Sequence, residues 1–223
     1  MIAIKELWKV YEVGEHRIEA VKGVNLNVRK GEFVSIVGHS GCGKSTLLSI
    51  LGGLTEPTNG NVAIKDIDIW RLNDTEISGL RNKTIGFIFQ FASLIPTLRA
   101  IENIVLPVIF GSSVHDRKEL YGLAKELLDI FGLSDKINAY PSELSGGQQR
   151  RVAIARAFIN KPEIIVADEP TGDLDERTER EVMDFFVKTN KKEGIPFLMA
   201  THSLNLAMET NRILYMKEGA ITV

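Results

Sequence analysis

The sequence predicts an α/β protein built on a mostly parallel sheet, with an antiparallel β region at the N-terminus and an inserted helical subdomain. Three short apolar runs, Phe33–Val37, Ile164–Ala167 and Phe197–Ala200, are typical of strands that are buried on both faces of a parallel sheet. The first third of the chain otherwise alternates apolar and polar residues, whereas the middle is rich in helical periodicity.

The strands of the N-terminal region follow from this alternation. Ile2–Trp8 and Val24–Val28 place apolar residues at about every second position, which predicts strands with one buried face. The stretch Val62–Ile69 predicts a hairpin that turns near Lys65–Asp66.

Helical spacing is clearest at Arg117–Phe131, where five apolar side chains recur every three or four residues. Gln148–Ile159 and Thr178–Lys191 also predict helices. Because a helix-rich middle separates two flanks of alternating strand and helix, we expect a helical subdomain within one α/β domain. The predicted ranges are 1–223 for the domain, about 1–92 and 161–223 for its α/β core, and about 93–160 for the helical subdomain.

Composition limits the class of protein. The 223 residues carry 27 Lys and Arg against 29 Asp and Glu, a net charge of −2, and 44% are hydrophobic. These values are typical of globular proteins and argue against a general nucleic-acid binder. The single cysteine, Cys42, has no partner for an internal disulfide, and the apolar stretch Ile101–Phe110 is too short and too interrupted to span a membrane. We therefore expect a soluble, cytoplasmic protein, for which any membrane role must come through a partner.

A phosphate-binding loop follows the first apolar run. Gly38–Ser45 fits the pattern G-x-x-x-x-G-K-[ST] and precedes a predicted helix, Ser45–Leu51, as the motif requires. Backbone N–H groups and the helix N-terminus would cradle phosphates, Lys44 would reach the β- and γ-phosphates, and Ser45 would ligate Mg²⁺. A glycine-rich turn with an incidental lysine is the alternative. The predicted nucleotide-contacting residues here are Gly38, His39, Ser40, Gly41, Cys42, Gly43, Lys44, Ser45 and Thr46, of which His39 and Cys42 have no evident chemical role.

Two acids end the second apolar run. Asp168 stands where a nucleotidase with a phosphate loop needs a carboxylate on the Mg²⁺ side, and Glu169 could polarise the attacking water. The alternative is a strand that ends in solvated acids.

Leu144–Gln148, followed by Gln149–Arg156, resembles the signature motif of ATP-binding-cassette ATPases. The resemblance covers essentially the whole chain, because the other motifs stand in the family's order. These are Tyr11, the phosphate loop, Gln90, the signature, Asp168-Glu169, the stretch 172–175 and His202. Asp173, where relatives often have Asn, and Cys42, in place of a commoner Ser or Ala, depart from the family pattern without removing a catalytic group.

The resemblance implies roles for these residues. It implies that Tyr11 stacks on adenine, that Gln90 senses Mg²⁺ or water, and that His202 contacts the γ-phosphate. Two cassettes would pack head to tail on two Mg-ATP, so that each signature covers the other chain's phosphate loop and Asp175 braces the interface. The signature residues contacting nucleotide would be Ser145, Gly146, Gly147 and Gln148. The first three open a helix, so their N–H groups would form a second anion site.

The resemblance also implies a partner. The chain is similar to the branch that serves lipoprotein release, macrolide export and antimicrobial-peptide detoxification, which implies a separate transmembrane permease and a position on the inner face of the membrane. Phe91, Leu94 and Ile95 are apolar and could contact that permease, or could instead belong to the core of the helical subdomain. A cassette that transmits force across the membrane without moving cargo, as in cell division, remains the alternative function.

Overall fold

The computed structural model describes residues 1–111, 116–172 and 174–222, which form two sheets and the helices packed against them. The described strands are β1 (Ile2–Val13), β2 (His16–Val28), β3 (Phe33–Val37), β4 (Asn59–Ile64), β5 (Ile67–Asp68), β6 (Ile85–Ile88), β7 (Ile164–Asp168), β8 (Phe197–Thr201), β9 (Arg212–Lys217) and β10 (Ala220–Thr222). The described α-helices are α1 (Lys44–Leu51), α2 (Asp74–Thr84), α3 (Ala100–Ile109), α4 (Arg117–Ile130), α5 (Gly146–Phe158), α6 (Glu176–Glu193) and α7 (Leu204–Ala207).

The six-stranded sheet has the order β10-β9-β3-β8-β7-β6. All its pairings are parallel except β9 with β10, which confirms a mostly parallel sheet. Every residue of β3, β7 and β8 is buried, as the apolar runs predicted. The carboxyl ends of these three strands lie at one edge, which is where open α/β sheets bind ligands.

The N-terminal sheet is antiparallel, with the order β2-β1-β4-β5. The predicted hairpin is present: Lys65 and Asp66 both have positive φ and connect β4 to β5. β1 continues five residues beyond Trp8, where the prediction ended it. Register shifts in its pairing with β2 break the alternation of its side chains, so the sequence pattern does not reveal the full length of the strand.

Each of the predicted helices is present with ends that lie within a few residues of the prediction, and side-chain caps explain several starts. Ser145 caps α5 and Asp175 caps α6. α2 and α3 were not predicted, and neither were β6, β9, β10 or the short α7.

Two apolar clusters cover the two faces of the parallel sheet. Phe33 and Phe197 point toward α3, α4, α5 and α6, whereas Val34 and Ile36 point toward α1 and the antiparallel sheet. The sheet is thus the middle of three layers, and its loops at the carboxyl edge are supported from both sides. Among the described residues, no helix has the length and apolarity that crossing a membrane requires.

Candidate active site

The phosphate loop connects β3 to α1 and folds around its own lysine. The Lys44 ammonium is buried and donates hydrogen bonds to the carbonyls of Gly38 (2.6 Å) and His39 (3.2 Å). Gly43 has φ +110°, and a Cβ there would overlap the Ala20 carbonyl oxygen of β2. Only glycine lets the loop approach the neighbouring sheet this closely.

The last hairpin of the chain supports the loop from the other side. The Gly219 N–H donates to the Cys42 carbonyl (2.9 Å), and the Lys22 N–H donates to the Gly219 carbonyl (2.8 Å). The loop is therefore held between β2 and the turn that joins β9 to β10.

Asp168 lies at the end of β7 and is 6% exposed. Burial raises the pKa of Asp168, while Ser45, Lys44 and Arg150 act in the opposite direction. Within the described chain, its Oδ1 is buried and accepts no hydrogen bond. A cation would satisfy this oxygen, and carboxylate, hydroxyl and amide oxygens from Asp168, Ser45 and Gln90 are donors that Mg²⁺ accepts. The residues present therefore fit Mg²⁺.

Glu169 follows directly and has an unusual backbone conformation. Its φ is +45°, a region that residues other than glycine seldom occupy. The His202 Nδ1 lies 2.9 Å from Glu169 Oε2, and the side chain of Glu169 is 15% exposed. A carboxylate oriented by an imidazole at the edge of a cleft is suited to polarise a water molecule.

These groups line one cavity of about 520 Å³. The residues predicted to bind nucleotide or Mg²⁺ that line it are Ser40, Gly41, Cys42, Gly43, Lys44, Ser45, Thr46, Gln90, Asp168, Glu169 and His202. Phe91, which was predicted to contact a permease, also lines it. Gly38 and His39 are absent from its lining, and their carbonyls accept hydrogen bonds from the Lys44 ammonium. Ile18, Glu19, Lys22, Arg150 and Glu218 also line the cavity and were not predicted.

Tyr11 lies beside this cavity without lining it. It pairs in register with Ile18, which does line it, and the Lys9 ammonium lies 5.0 Å from the centre of the Tyr11 ring. The adenine-stacking role of Tyr11 stays a prediction.

The signature residues lie outside their own chain's cavity. None of Ser145, Gly146, Gly147 and Gln148, all of which the structure describes, is among its lining residues. The Ser145 Oγ accepts from the Gln148 N–H (3.3 Å) and the Gln148 Oε1 accepts from the Ser145 N–H (2.9 Å), so the pair forms a capping box. The N-terminus of α5 is thus ordered and available to a group from elsewhere.

Asp175 is also outside the cavity and caps α6. It accepts hydrogen bonds from the Thr178 N–H (3.0 Å) and the Thr178 hydroxyl (2.7 Å), which together lower the pKa of Asp175. Its neighbour Asp173 lies outside the described residues.

The most informative residue that the sequence reasoning missed is Arg150. This arginine is 2% exposed and projects from α5 toward the carboxyl edge of the sheet. The sequence does carry a signal that Arg150 is buried. Arg150 stands four residues before the buried Ile154 and eight before the buried Phe158, which places it on the apolar face of its helix.

A phosphate loop facing two acids at the carboxyl edge of a parallel sheet defines a P-loop nucleotide hydrolase. Comparison with known proteins narrows this class. The model of a family described as "ABC transporter" matches residues 21–172.

Individual relatives agree with the family match. The lipoprotein-releasing system ATP-binding protein LolD of Aquifex aeolicus is 47% identical over 219 residues, which cover 98% of this chain and 93% of LolD. The macrolide export ATP-binding/permease protein MacB of Rhodopirellula baltica is 40% identical over 221 residues, and the chain spans only 32% of its length. The ABC transporter ATP-binding protein MJ0796 of Methanocaldococcus jannaschii is 46% identical over 226 residues, which cover 99% of this chain and 95% of MJ0796.

A solved structure shows the same fold. The dimeric post-hydrolysis state of the ATP-binding cassette MJ0796, bound to ADP and Pi, matches with a TM-score of 0.96 and 44% identity over 100% of this chain and 97% of that one. The chain belongs to the ABC transporter family. The predicted fold, family, branch and ATPase activity are confirmed.

Proposed function

We propose that this ATPase closes as a head-to-tail homodimer on two Mg-ATP and thereby drives a separate transmembrane permease. One observation carries the proposal. The phosphate loop, Asp168, Glu169 and His202 meet in one cavity, whereas the signature at the start of α5 lies outside it. A second copy, turned end for end, would bring its signature onto the open side of the cavity.

Each side chain has a role that its position supports. Lys44 exchanges its two loop carbonyls for the β- and γ-phosphates of ATP, and the N–H groups of residues 40–46 hold the same phosphates. Ser45, Asp168 and Gln90 would hold Mg²⁺, which would supply positive charge to neutralise that of the phosphates. Glu169 accepts a proton from the attacking water, and His202 orients Glu169 and contacts the γ-phosphate.

The partner copy completes the site. The N–H groups of Gly146 and Gly147, beside Ser145 at the positive end of α5, suit the γ-phosphate of the other copy's ATP, whereas the Ser145 N–H already donates to Gln148 Oε1. ATP then joins the two copies, and its hydrolysis releases them. That the similar cassette MJ0796 is dimeric with ADP and Pi supports this arrangement.

The permease would dock beside the Q-loop, the segment 89–95. Phe91 is 72% exposed and Ile95 is 39% exposed, whereas Leu94 packs on the apolar cluster of the helical region, the alternative that the sequence left open. An adjoining groove of about 640 Å³ between α2 and α3 includes the exposed Phe89 and Phe110. We assign the permease contact to Phe91, Ile95 and this groove, an apolar surface suited to a helix.

The location and cargo follow from that partner. Binding to a permease would hold the protein on the inner face of the cell membrane, with the contact lying where the helical subdomain of about 93–160 meets the nucleotide-binding core. The relatives named for lipoprotein release and macrolide export support a role in transport of the export or lipoprotein-release type.

The test of this proposal is Glu169→Gln. This change removes the proton acceptor but keeps the size and position of the side chain, so ATP should bind and remain unhydrolysed. With saturating Mg-ATP, light scattering should show a dimer of about twice the 24.8 kDa chain mass.

Glu209→Gln is the matched control, because Glu209 is an exposed glutamate remote from the cavity lining. This variant should hydrolyse ATP like the unaltered chain and show no stable dimer after turnover. A monomeric Glu169→Gln protein at saturating Mg-ATP would contradict the homodimer.

A further inference from the structure

Arg150 connects two parts of the active site that are far apart in sequence. Its guanidinium Nη2 donates to the Glu169 carbonyl (2.9 Å), and its Nη1 donates to the Phe89 carbonyl. Phe89 precedes Gln90, so one buried cation contacts the main chain at both the water-polarising residue and the segment that carries the glutamine.

The contact with Glu169 falls on a strained residue. An L-residue at φ +45° is held only where its surroundings determine it. Here the Glu169 N–H donates to the Ala200 carbonyl (3.0 Å), while its own carbonyl accepts from the Gly172 N–H (3.3 Å) and from Arg150. The Arg150 bond is the one that is charge-assisted, and such bonds are stronger than those between neutral groups.

The same helix anchors the Q-loop on its other side. The Arg156 guanidinium donates to the carbonyls of Ala92 and Ser93, at 2.9 Å each. Gln90 and Phe91 therefore span two points that are both attached to α5. A displacement of α5 would carry the main chain on both sides of Gln90 with it.

We infer that Arg150 is a positioning residue for ATP hydrolysis, which sets Glu169 and Gln90 relative to each other and to α5. The inference rests on the roles proposed above for those two residues. Arg150 lies about 8 Å along the helix axis from Ser145, at 1.5 Å per residue. Contact between the signature and the other copy's nucleotide thus reaches Glu169 and Gln90 through one rigid element.

A purely structural role predicts a different result. If Arg150 only satisfied two buried carbonyls, its loss would lower the stability of the fold and leave turnover by the folded protein unchanged. If it positions the two groups, turnover falls while ATP binding by the phosphate loop persists. The separation of kcat from ATP affinity distinguishes the two roles.

The experiment compares Arg150→Gln and Arg150→Lys with Arg151→Gln. Arg151 is the matched control because it is the next residue of the same helix and its Nη1 also donates to a backbone carbonyl, that of Phe131 (2.9 Å), remote from the cavity. We expect kcat of Arg150→Gln to fall by about 10- to 100-fold, with the Kd for ATP within about threefold of the unaltered chain. Arg150→Lys should recover part of the loss, since one ammonium keeps the charge without the two-pronged geometry.

The outcomes distinguish failure of the positioning role of Arg150 from failure of the function proposed for Glu169. Equal kcat values for folded Arg150→Gln and Arg151→Gln would overturn the positioning role, as would a loss of ATP affinity that matched the loss of kcat. Glu169→Gln is run beside them. If it still hydrolyses ATP at the unaltered rate, the proposed function of Glu169 fails, whereas an inactive Glu169→Gln with a fully active Arg150→Gln refutes this inference alone.

Discussion

Substitution of Gly43 by alanine should lower both the free energy of unfolding of the domain and the affinity of the phosphate loop for nucleotide. The backbone there has φ +110°, and a Cβ would overlap the Ala20 carbonyl oxygen and lie 2.8 Å from the Met216 Cε. An alanine in such a conformation costs about 1–3 kcal/mol. Relieving the overlap requires movement of main chain on one side or the other, which costs about a further 1–3 kcal/mol.

The two contributions together amount to about 2–6 kcal/mol, which is a large part of the roughly 5–15 kcal/mol by which domains are stable. Urea unfolding followed by circular dichroism measures the loss, and binding of a fluorescent ATP analogue to the folded fraction measures the site. Because the loop must move away from β2, we expect the affinity for nucleotide to fall as well.

Gly41→Ala is the matched control. Gly41 also has positive φ, +77°, but a Cβ there meets no described atom within 4 Å. Gly41→Ala should therefore cost only about 1–2 kcal/mol, that of placing an alanine at positive φ without a steric overlap. If Gly43→Ala proves no less stable than Gly41→Ala, the close approach to Ala20 does not constrain the loop and the reasoning is refuted.

Substitutions at three further positions test single groups of the site. Lys44→Ala should abolish hydrolysis and lower ATP affinity by about 10-fold or more, because the ammonium is the buried cation of the loop; unchanged isothermal-titration affinity would remove Lys44 from the site. Asp168→Asn should abolish hydrolysis yet raise the melting temperature of the nucleotide-free protein by about 1–4 °C. Because the pKa of Asp168 is raised in the folded protein, ionisation of this carboxyl disfavours the folded state. The gain in melting temperature should therefore be full above the raised pKa and vanish below about pH 4, where the carboxyl is protonated in both the folded and the unfolded protein. A gain that persists at about pH 3 would show that it does not come from ionisation of Asp168. Asp175→Ala should lose about 1 kcal/mol by removing the cap of α6, whereas Asp175→Asn keeps the cap, so a loss of turnover in Asp175→Asn at full stability would support its proposed role at the dimer interface.

The features predictable from sequence were those with local signals. The phosphate loop and the acids after β7 are recognisable because the chemistry needs particular residues at fixed spacing beside short apolar runs. The capping box of Ser145 and Gln148 is likewise local, as is the turn at Lys65–Asp66.

The elements that were missed had weak or conflicting signals. α2 buries only Ile77 and Thr84, so it has almost no apolar stripe, although Asn73 and Glu76 form a capping box that marks its start. α3 contains Pro107, which is unfavourable inside a helix, but it lies near the C-terminal end, and its carbonyl accepts a hydrogen bond from Asn82 (2.7 Å).

Other parts of the site depend on contacts between distant residues. The bonds of Arg150 span 61 residues to Phe89 and 19 to Glu169, and no local pattern specifies such pairs. Ile18 and Glu218 reach the cavity only because β2 and the turn after β9 lie beside the phosphate loop. These positions follow from the arrangement of the two sheets, which the sequence indicates only in outline.

That arrangement also has a consequence for biosynthesis. The phosphate loop is translated before β8 and β9, but β3, which leads into it, pairs with both of these strands, and the turn at Gly219 holds the loop at Cys42. While the ribosome is still adding residues 197–222, the loop lacks its flanking strands and that hydrogen bond. A nascent chain therefore acquires a complete nucleotide pocket only as these last strands emerge, so capture of ATP would report that nearly the whole domain has folded.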